Sequence, residues 1–253
     1  MCLALVALDA HPLYRCVVAA NRDEFHARAA APAHWWDGVL AGRDLVAGGT
    51  WFGATQAGRW ALVTNFREGV PRDAGAPSRG RLVTGLLHAQ SSPLASAAAL
   101  LPDGDRYHGF NLLVGTIDSV AFASNRASGA LALSAGIHGL SNHLLDTPWP
   151  KLIRGRTRLA AWLADPNPSA DAAFALLADR EPAEEATLPS TGISRGWERL
   201  LSSPFVVSHE YGTRCSTLFT LGTDGSARLI ERSFDAGGNA TGEVSFEYRV
   251  DAS

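Results

Sequence analysis

A cysteine directly after the initiator methionine could act as a nucleophile that needs no separate base. Removal of Met1, which usually occurs before a small residue, would leave a thiol and an α-amino group together on Cys2. An α-amino group has a pKa of about 7.7–8.0, so it can accept the thiol proton near neutral pH. The alternative interpretation of Cys2 is a small apolar residue in an edge strand.

Four polar residues, 21–24, follow the second apolar run of the chain and could supply charges to that nucleophile. The first two runs are separated by a turn at 9–12, which predicts a hairpin that returns residue 21 to the chain start. Arg22 could then hold a thiolate or a substrate carboxylate, and Asp23 could orient the terminal ammonium. A surface turn with an arginine–acid pair is the alternative interpretation.

Two asparagines stand where neutral hydrogen-bond donors would suit an oxyanion hole. Asn65 ends a predicted strand, and Asn142 lies in a predicted loop before a helix. An uncharged amide can meet a developing negative charge without offering a competing proton. Either residue could equally be a turn or cap asparagine. Arg214, just before a predicted strand, is open to the same two interpretations.

Other familiar chemistries lack their motifs. The sequence 139–143 ends in histidine and is not G-x-S-x-G, which argues against a serine hydrolase elbow. His138 and His143 do not have the spacing of a zinc protease site, and the glycines of 237–242 are not followed by a phosphate-binding lysine. The three cysteines contain no C-x-x-C pair. The sequence therefore predicts no metal and no cofactor.

Composition points to a globular cytoplasmic protein. The chain has 253 residues, of which 46% are hydrophobic, and a formal net charge of -3. This charge gives no reason to expect a nucleic-acid partner. No apolar run approaches the roughly 20 residues of a membrane span, and no basic segment of a secretory signal precedes the first apolar run. We expect one domain, 1–253, and the sequence leaves its oligomeric state undecided.

Runs of strands separated by paired helices organise the chain. Strands are predicted at 1–8, 14–20, 39–46, 51–54, 59–65, 110–117, 120–124, 131–134, 205–208, 216–221, 228–233 and 244–249. Helices are predicted from an N-cap at Ser78 to Leu87, and at 93–101, 151–163 and 170–177. This order indicates an α+β fold of mainly antiparallel sheets covered by helices. The segment 180–196 is predicted to be a long surface loop that could act as a lid.

Several motifs in order resemble the NRDE-motif family, the relatives of the transport and Golgi organization protein 2 group. They include residues 1–2, 20–25, 42–44, 48–53, 64–68, 78–80, 110–115, 140–142, 147–151 and 211–214. At greater distance the sequence is similar to the N-terminal-cysteine hydrolases that include penicillin V acylase and bile salt hydrolase. That resemblance implies a four-layer αββα sandwich of the N-terminal-nucleophile hydrolase type.

The resemblance also implies site residues and two classes of function. The hydrolase pattern corresponds to Cys2, Arg22, Asp23, Asn65, Asn142 and Arg214, although the hydrolases separate the early arginine and aspartate that are adjacent here. It implies cleavage of a non-peptide C–N amide bond in a small-molecule substrate. The eukaryotic relatives imply instead a binding or transfer protein for haem or an acyl lipid. An apolar pocket for such a ligand could be lined by tryptophans, whose alternative role is core packing: Trp35, Trp36, Trp51, Trp60 and Trp149.

Overall fold

Two antiparallel sheets form the centre of the molecule. The computed structural model describes residues 3–69 and 75–251, so the predicted nucleophile Cys2 and the start of the first predicted strand lie outside the described residues. Sheet A contains, in spatial order, β10 (Gly136–Leu140), β1 (Leu3–His11), β2 (Tyr14–Phe25), β11 (Tyr211–Gly222), β12 (Ser226–Phe234) and β13 (Ala240–Arg249). Sheet B contains β3 (Ala30–Trp36), β4 (Val39–Asp44), β5 (Phe52–Thr55), β6 (Trp60–Asn65), β7 (Phe110–Gly115), β8 (Val120–Ser124) and β9 (Ala130–Ala132).

Helices cover the outer face of each sheet. They are α1 (Gly80–His88) and α2 (Pro93–Ala99) on sheet B, and α3 (Pro150–Leu163) and α4 (Ala170–Leu177) on sheet A. A fifth helix, α5 (Arg195–Leu200), lies beside the candidate site. The helices α1 and α2 pack on sheet B through residues such as Val83 and Ala97, whereas α3 and α4 pack on sheet A through Leu159 and Phe174. A third apolar cluster, which includes Phe52 and Phe219, fills the space between the sheets. The order of layers is therefore αββα, which confirms the predicted fold class.

The central strands are apolar on both faces because each sheet is covered on both faces. In β1, residues from Leu3 to Leu8 are all buried, and alternate residues contact the space between the sheets and the α3–α4 layer. A continuous apolar run is the expected sequence pattern for a strand buried in this way. The polar residues at the end of β2 therefore stand out against an apolar background.

The structure departs from the sequence predictions at several elements. Strands β3 and β10 and helix α5 were not predicted. The predicted strand 205–208 is wrong, because this segment forms no ladder with β11. The Val206 carbonyl accepts from the Thr213 N–H, but the Val206 N–H donates to the Thr213 hydroxyl and the Ser208 hydroxyl donates to the Tyr211 carbonyl. Helix α1 begins at Gly80, two residues after the predicted N-cap Ser78, whose hydroxyl accepts from the Gly80 N–H at 3.3 Å; the intervening Arg79 already has helical φ and ψ.

No helix within the described residues is both long and apolar enough to cross a membrane. The predicted loop 180–196 carries a single 3₁₀ turn at Glu185–Thr187 and runs into α5. Its position beside the site is described below.

Candidate functional site

The polar end of β2 lies between the first residues of β1 and the first residues of β11. Leu3 is paired with Asn21, and Arg22 is paired with Cys215. The Asn21 amide donates to the carbonyls of Leu177 and Pro204, both at 2.9 Å, and accepts from the Ser216 hydroxyl at 2.6 Å. Asn21 therefore joins the sheet to neighbouring segments, and both hydrogens of its amide nitrogen are used, so neither is left to donate to a ligand.

Arg22 is a buried cation whose guanidinium is held by an aromatic face. The residue is 4% exposed, and its guanidinium carbon lies 4.2 Å from the centre of the Trp51 ring. Its buried Nη1 has no hydrogen-bond partner among the described residues. A buried carboxylate on β12 is within reach of this charge: burial raises the pKa of Glu231, and the charge of Arg22 opposes that rise. A buried cationic N–H without a hydrogen-bond partner costs free energy, so we expect Arg22 Nη1 to bind a group outside the described residues.

Asp23 of β2 and Arg214 of β11 both lie at an irregularity in the pairing of these two strands. Asp23 is paired with Thr213, whose hydroxyl donates to Asp23 Oδ1 at 2.7 Å. Because Arg22 is paired with Cys215, Arg214 is an extra residue with no opposite partner in β2. This is a β-bulge, which turns one side chain out of the regular alternation.

The bulge directs the Arg214 side chain to the turn that follows β2. Its Nη1 donates to the carbonyls of Phe25, His26 and Arg28 at 2.9–3.1 Å. Burial lowers the pKa of Arg214, and the neighbouring charge of Arg22 lowers it further. Arg214 lines neither of the two cavities described below. The structure thus brings Arg214 next to Arg22 but engages it in supporting a turn.

Asn65 and Asn142 are in direct contact, although they lie on separate segments. Asn142 Nδ2 donates to the Asn65 carbonyl at 3.1 Å, and the Asn142 carbonyl accepts from the Arg67 N–H at 2.7 Å. Asn142 has φ 55°, in the left-handed region that asparagine tolerates better than most residues. An amide nitrogen carries two hydrogens, and only one of those on Asn142 is bonded within the described residues. No described residue bonds to the Asn65 side chain.

The loop that carries Asn142 is held by a buried asparagine, Asn111 of β7. Asn111 Nδ2 donates to the Thr64 hydroxyl at 3.1 Å and to the His143 carbonyl at 3.0 Å. The His143 ring lies between Phe66 and Trp149, with ring centres 4.9 and 5.5 Å away. Burial lowers the pKa of His143, which favours its neutral form. Asn111 therefore sets the backbone next to Asn142.

Replacement of Asn111 by leucine is expected to loosen the loop that carries Asn142. The loss of two buried hydrogen bonds should lower the free energy of unfolding by about 1–3 kcal/mol. Hydrogen exchange of the Arg67 amide, which reports the bond to the Asn142 carbonyl, should become at least about 10-fold faster. Asn125→Ala removes a comparable set of bonds at the start of β7 and is the control. Equal exchange at Arg67 in both variants would contradict the role given to Asn111.

Two cavities adjoin at Asn65, Arg79 and His108. The first, here called the aromatic cavity, has a volume of about 510 Å³. Its apolar lining is Phe25, Phe66, Ile193, Trp197, Leu201 and Tyr211. The second, the polar cavity, has a volume of about 380 Å³. Its wall includes Arg22, Asp23, Arg28, Asp44, Thr50 and Trp51. Asn142 faces the aromatic cavity, and Asn65 belongs to both.

The predicted 180–196 loop forms one wall of the aromatic cavity, together with α5. Glu198 is 1% exposed and accepts from the Arg67 guanidinium at 2.8 Å. Its other oxygen accepts from both the N–H and the hydroxyl of Thr191 at 2.7 Å. The Gly69 N–H donates to the Thr191 carbonyl at 2.9 Å. These bonds fasten the wall to the segment that follows Asn65.

The predicted tryptophan pocket is largely replaced by a different set of aromatic residues. Trp60 is fully buried in the core, Trp35 packs edge-on against Tyr248, and Trp51 belongs to the polar cavity. The aromatic cavity is instead lined by residues that strand pairing and α5 bring together. Phe25 and Trp197 both pack edge-on against Tyr211, with ring centres 5.2 and 5.5 Å away. Of this aromatic lining, only Phe66 directly follows a predicted strand, 59–65.

The two cysteines within the described residues are unreactive in the folded protein. Cys16 and Cys215 are buried and in no disulfide. Burial raises the pKa of both thiols, so neither forms a thiolate near neutral pH. Among residues 3–69 and 75–251, no group of three or more histidine, cysteine, aspartate or glutamate side chains could hold a metal ion.

Comparison with known sequences finds one matching family. The model of the family described as Transport and Golgi organisation 2 matches residues 1–236. The Transport and Golgi organization protein 2 homolog of Bos taurus is 34% identical over 258 residues, which cover 92% of this chain and 93% of the relative. The chain and this relative therefore correspond over nearly their whole lengths.

Comparison with solved structures finds amide hydrolases of the same fold. A Caenorhabditis elegans ortholog of N-acylethanolamine-hydrolyzing acid amidase superposes with a TM-score of 0.51 at 12% identity, over 86% of this chain and 92% of that one. A variant of the conjugated bile acid hydrolase from Clostridium perfringens superposes with a TM-score of 0.52 at 9% identity, over 100% and 98% of the chains. These superpositions establish the αββα fold of the N-terminal-nucleophile hydrolases. At such low identities they establish nothing about activity.

Proposed function

Since this chain belongs to the Transport and Golgi organisation 2 family and has the fold of the N-terminal-nucleophile hydrolases, we propose that it is an N-terminal-cysteine amidohydrolase. Its substrate is a small molecule with a non-peptide C–N amide bond, and its nucleophile is Cys2 after removal of Met1. An unpaired reactive thiol suits the reducing cytoplasm, where we propose that the protein acts.

The observation that carries this proposal is the unsatisfied guanidinium of Arg22. Cys2 is covalently bound to Leu3, and Leu3 is paired with Asn21, the neighbour of Arg22 in β2. The N–H groups of Arg22 are not used by the described residues and can stabilise a thiolate. A guanidinium that served only to hold the sheets together would be expected to donate to backbone carbonyls, as Arg214 does.

The pair Asn65 and Asn142 supports the same reaction. In the proposed roles, their side-chain amides donate to the oxygen that becomes negative when the amide carbonyl is attacked. The Asn142 loop is fastened to the protein by Asn111 and Arg67 before any ligand binds. Donors that are already oriented do not need to reorganise as charge develops, which is the main source of this kind of stabilisation.

With these proposed roles, the reaction has two steps. The Cys2 amine takes the thiol proton, and sulfur attacks the amide carbonyl carbon to give a tetrahedral oxyanion. When the oxyanion collapses, the C–N bond breaks and the Cys2 ammonium protonates the leaving nitrogen, which leaves a thioester. The amine then takes a proton from water, and the resulting hydroxide attacks the thioester. This step releases the carboxylic acid and regenerates the thiol.

Intact-mass spectrometry of tag-free protein tests the proposal. Met1 is the only methionine in the chain, so its removal gives an unambiguous mass loss. The processed protein is then exposed to a panel of N-acyl amides, β-lactams and acyl thioesters. One acyl adduct located on Cys2 is the expected result. Fully processed protein that forms no adduct with any member of the panel would overturn the proposal.

A second candidate function is favoured by the aromatic cavity alone. Its volume of about 510 Å³ and its six apolar side chains suit a hydrophobic ligand such as haem or an acyl lipid. A binding or transfer protein would use this cavity without Cys2. Titration with haemin and with a fluorescent fatty acid distinguishes the two functions. Saturable binding that Cys2→Ala leaves unchanged, in a protein that forms no acyl adduct, would favour the binding function.

A further inference from the structure

The Trp51 ring lies against both Gly42 and the Arg22 guanidinium. One face of the indole is 4.2 Å from the guanidinium carbon of Arg22. On the β4 side, a Cβ added to Gly42 would come within 2.5 Å of Trp51 Cη2. Such a separation is far inside van der Waals contact, so any side chain at position 42 would displace the ring. Gly42 thus provides the space in which the ring lies flat.

The backbone of Trp51 is fixed independently of its side chain. The Trp51 carbonyl accepts from the Val63 N–H at 3.0 Å, and the preceding Thr50 N–H donates to the Gly80 carbonyl at 3.2 Å. Gly49 has φ +79° and packs directly on Gly80, where a Cβ would come within 2.5 Å of the Gly80 carbonyl carbon. The loop that carries Trp51 is therefore locked between β6 and the start of α1.

This arrangement holds a cation without using its hydrogen-bond donors. An arginine fixed by carboxylates or carbonyls has fewer N–H groups left for a ligand. A ring face attracts the guanidinium through its quadrupole and leaves the N–H edge open. The buried Nη1 of Arg22 without a described partner is the expected consequence. Trp51 itself, 5% exposed, is also without a hydrogen bond at Nε1 among the described residues, so its contribution is through the ring face.

We propose that Trp51, seated on Gly42, is the positioning residue for Arg22 and keeps its N–H groups directed at the nucleophile. The effect on Cys2 rests on the proposed function, whereas the placement of Arg22 does not. The stacking of Arg22 on the Trp51 ring then requires glycine at positions 42 and 49, in addition to any requirement of turn geometry. This role explains the glycines and the tryptophan of two sequence motifs, 42–44 and 48–53, which take no direct part in the proposed reaction.

The placement of Arg22 is tested by nuclear magnetic resonance, without reference to catalysis. The side-chain Nε–Hε signal of Arg22, assigned through Arg22→Lys, should be shifted upfield by the Trp51 ring current. The shift should persist in Trp51→Phe and disappear in Trp51→Leu and Gly42→Ala. Gly85→Ala, at a helix position with open space around it, is the matched control and should retain the shift. An unshifted Arg22 signal in the wild type, or a shift retained in Trp51→Leu, would overturn the placement.

The effect on the nucleophile is tested with fluorinated tryptophans introduced at position 51. Fluorination weakens the negative ring face with little change in shape. The rate of Cys2 alkylation by iodoacetamide should fall stepwise with fluorine number, by about 10-fold or more at full substitution. Phenylalanine should restore part of the rate lost in Trp51→Leu. A rate independent of fluorine number would show that Trp51 only fills space.

The two tests separate failure of this inference from failure of the proposed function. Wild-type protein that forms no acyl adduct, but shows the Arg22 shift and the fluorine trend, would overturn the hydrolase and retain the positioning role. Acylation that proceeds at equal rates in wild type and Trp51→Leu would overturn the positioning role and retain the hydrolase. Melting curves of each variant identify any that fail to fold, in which case the fluorinated proteins decide.

Discussion

Replacement of Cys2 by alanine is expected to lower the rate of amide hydrolysis by at least about 10³-fold, because no other group can form the thioester. The buried thiols of Cys16 and Cys215 cannot substitute for it, since burial raises their pKa values and keeps them protonated. The measurement is kcat/KM with whichever amide acylates the wild type. Cys16→Ala removes a thiol from the core between the sheets and should keep full activity.

A chain that keeps Cys2 but carries an uncleaved N-terminal extension separates the thiol from the amine. The extension converts the α-amine into an amide, which cannot accept the thiol proton or protonate the leaving nitrogen. We expect this protein to be as inactive as Cys2→Ala, although its thiol still reacts with iodoacetamide at high pH. Hydrolysis at the wild-type rate by the extended protein would exclude the amine as the base and leave another group to be found.

Replacement of Asn142 by glycine is expected to lower kcat/KM by about 10²–10³-fold, the usual effect of removing one oxyanion donor. Glycine is chosen because Asn142 has φ 55°, a conformation that alanine adopts with strain. The substitution therefore removes the donor and leaves the backbone conformation accessible. The rate of Cys2 alkylation by iodoacetamide should be unchanged, because that reaction creates no oxyanion.

Asp37→Gly is the matched control for this substitution. Asp37 also has positive φ, at 49°, and lies in the exposed turn between β3 and β4, away from both cavities. It should have wild-type activity. Asn65→Ala should resemble Asn142→Gly, since both amides are assigned to the same oxygen. If both asparagine variants acylate Cys2 within about threefold of the wild-type rate, the oxyanion is stabilised elsewhere.

Local pattern was sufficient for most of the fold. The run from Ala170 to Leu177 was predicted with the observed bounds, because its apolar residues at helical spacing are a local signal. Strand β3 was missed because Pro32 interrupts it, and its pairing with β4 is irregular between Ala31 and His34. Strand β10 was missed because its pairing partner, β1, is far away in sequence. Such pairings depend on tertiary contacts that no short window contains.

The candidate site was predictable to the extent that it lies on one hairpin. Pairing of β1 with β2 brings Asn21 beside Leu3, as the hairpin implied. The contact between Asn65 and Asn142 joins the end of β6 in sheet B to the loop that follows β10 in sheet A, and only the family resemblance indicated that they belong together. The aromatic cavity was not predicted, because Trp197 and Tyr211 are brought to Phe25 by strand pairing and by a helix whose own pattern is only six residues long.

The bulge at Arg214 divides β11 into two parts whose pairing with β2 differs in register by one residue. Residues 215–221 are paired in unbroken register with residues 16–22 of β2, whereas Tyr211 to Thr213 follow a register of their own. Deletion of the single bulged residue would therefore bring the two parts into one regular register, with Thr213 still opposite Asp23 and Cys215 still opposite Arg22. The turn after β2 would lose the three bonds that Arg214 donates to its carbonyls. A one-residue change at this point can thus alter the support of the turn beside the site without changing the strand pairing in the core.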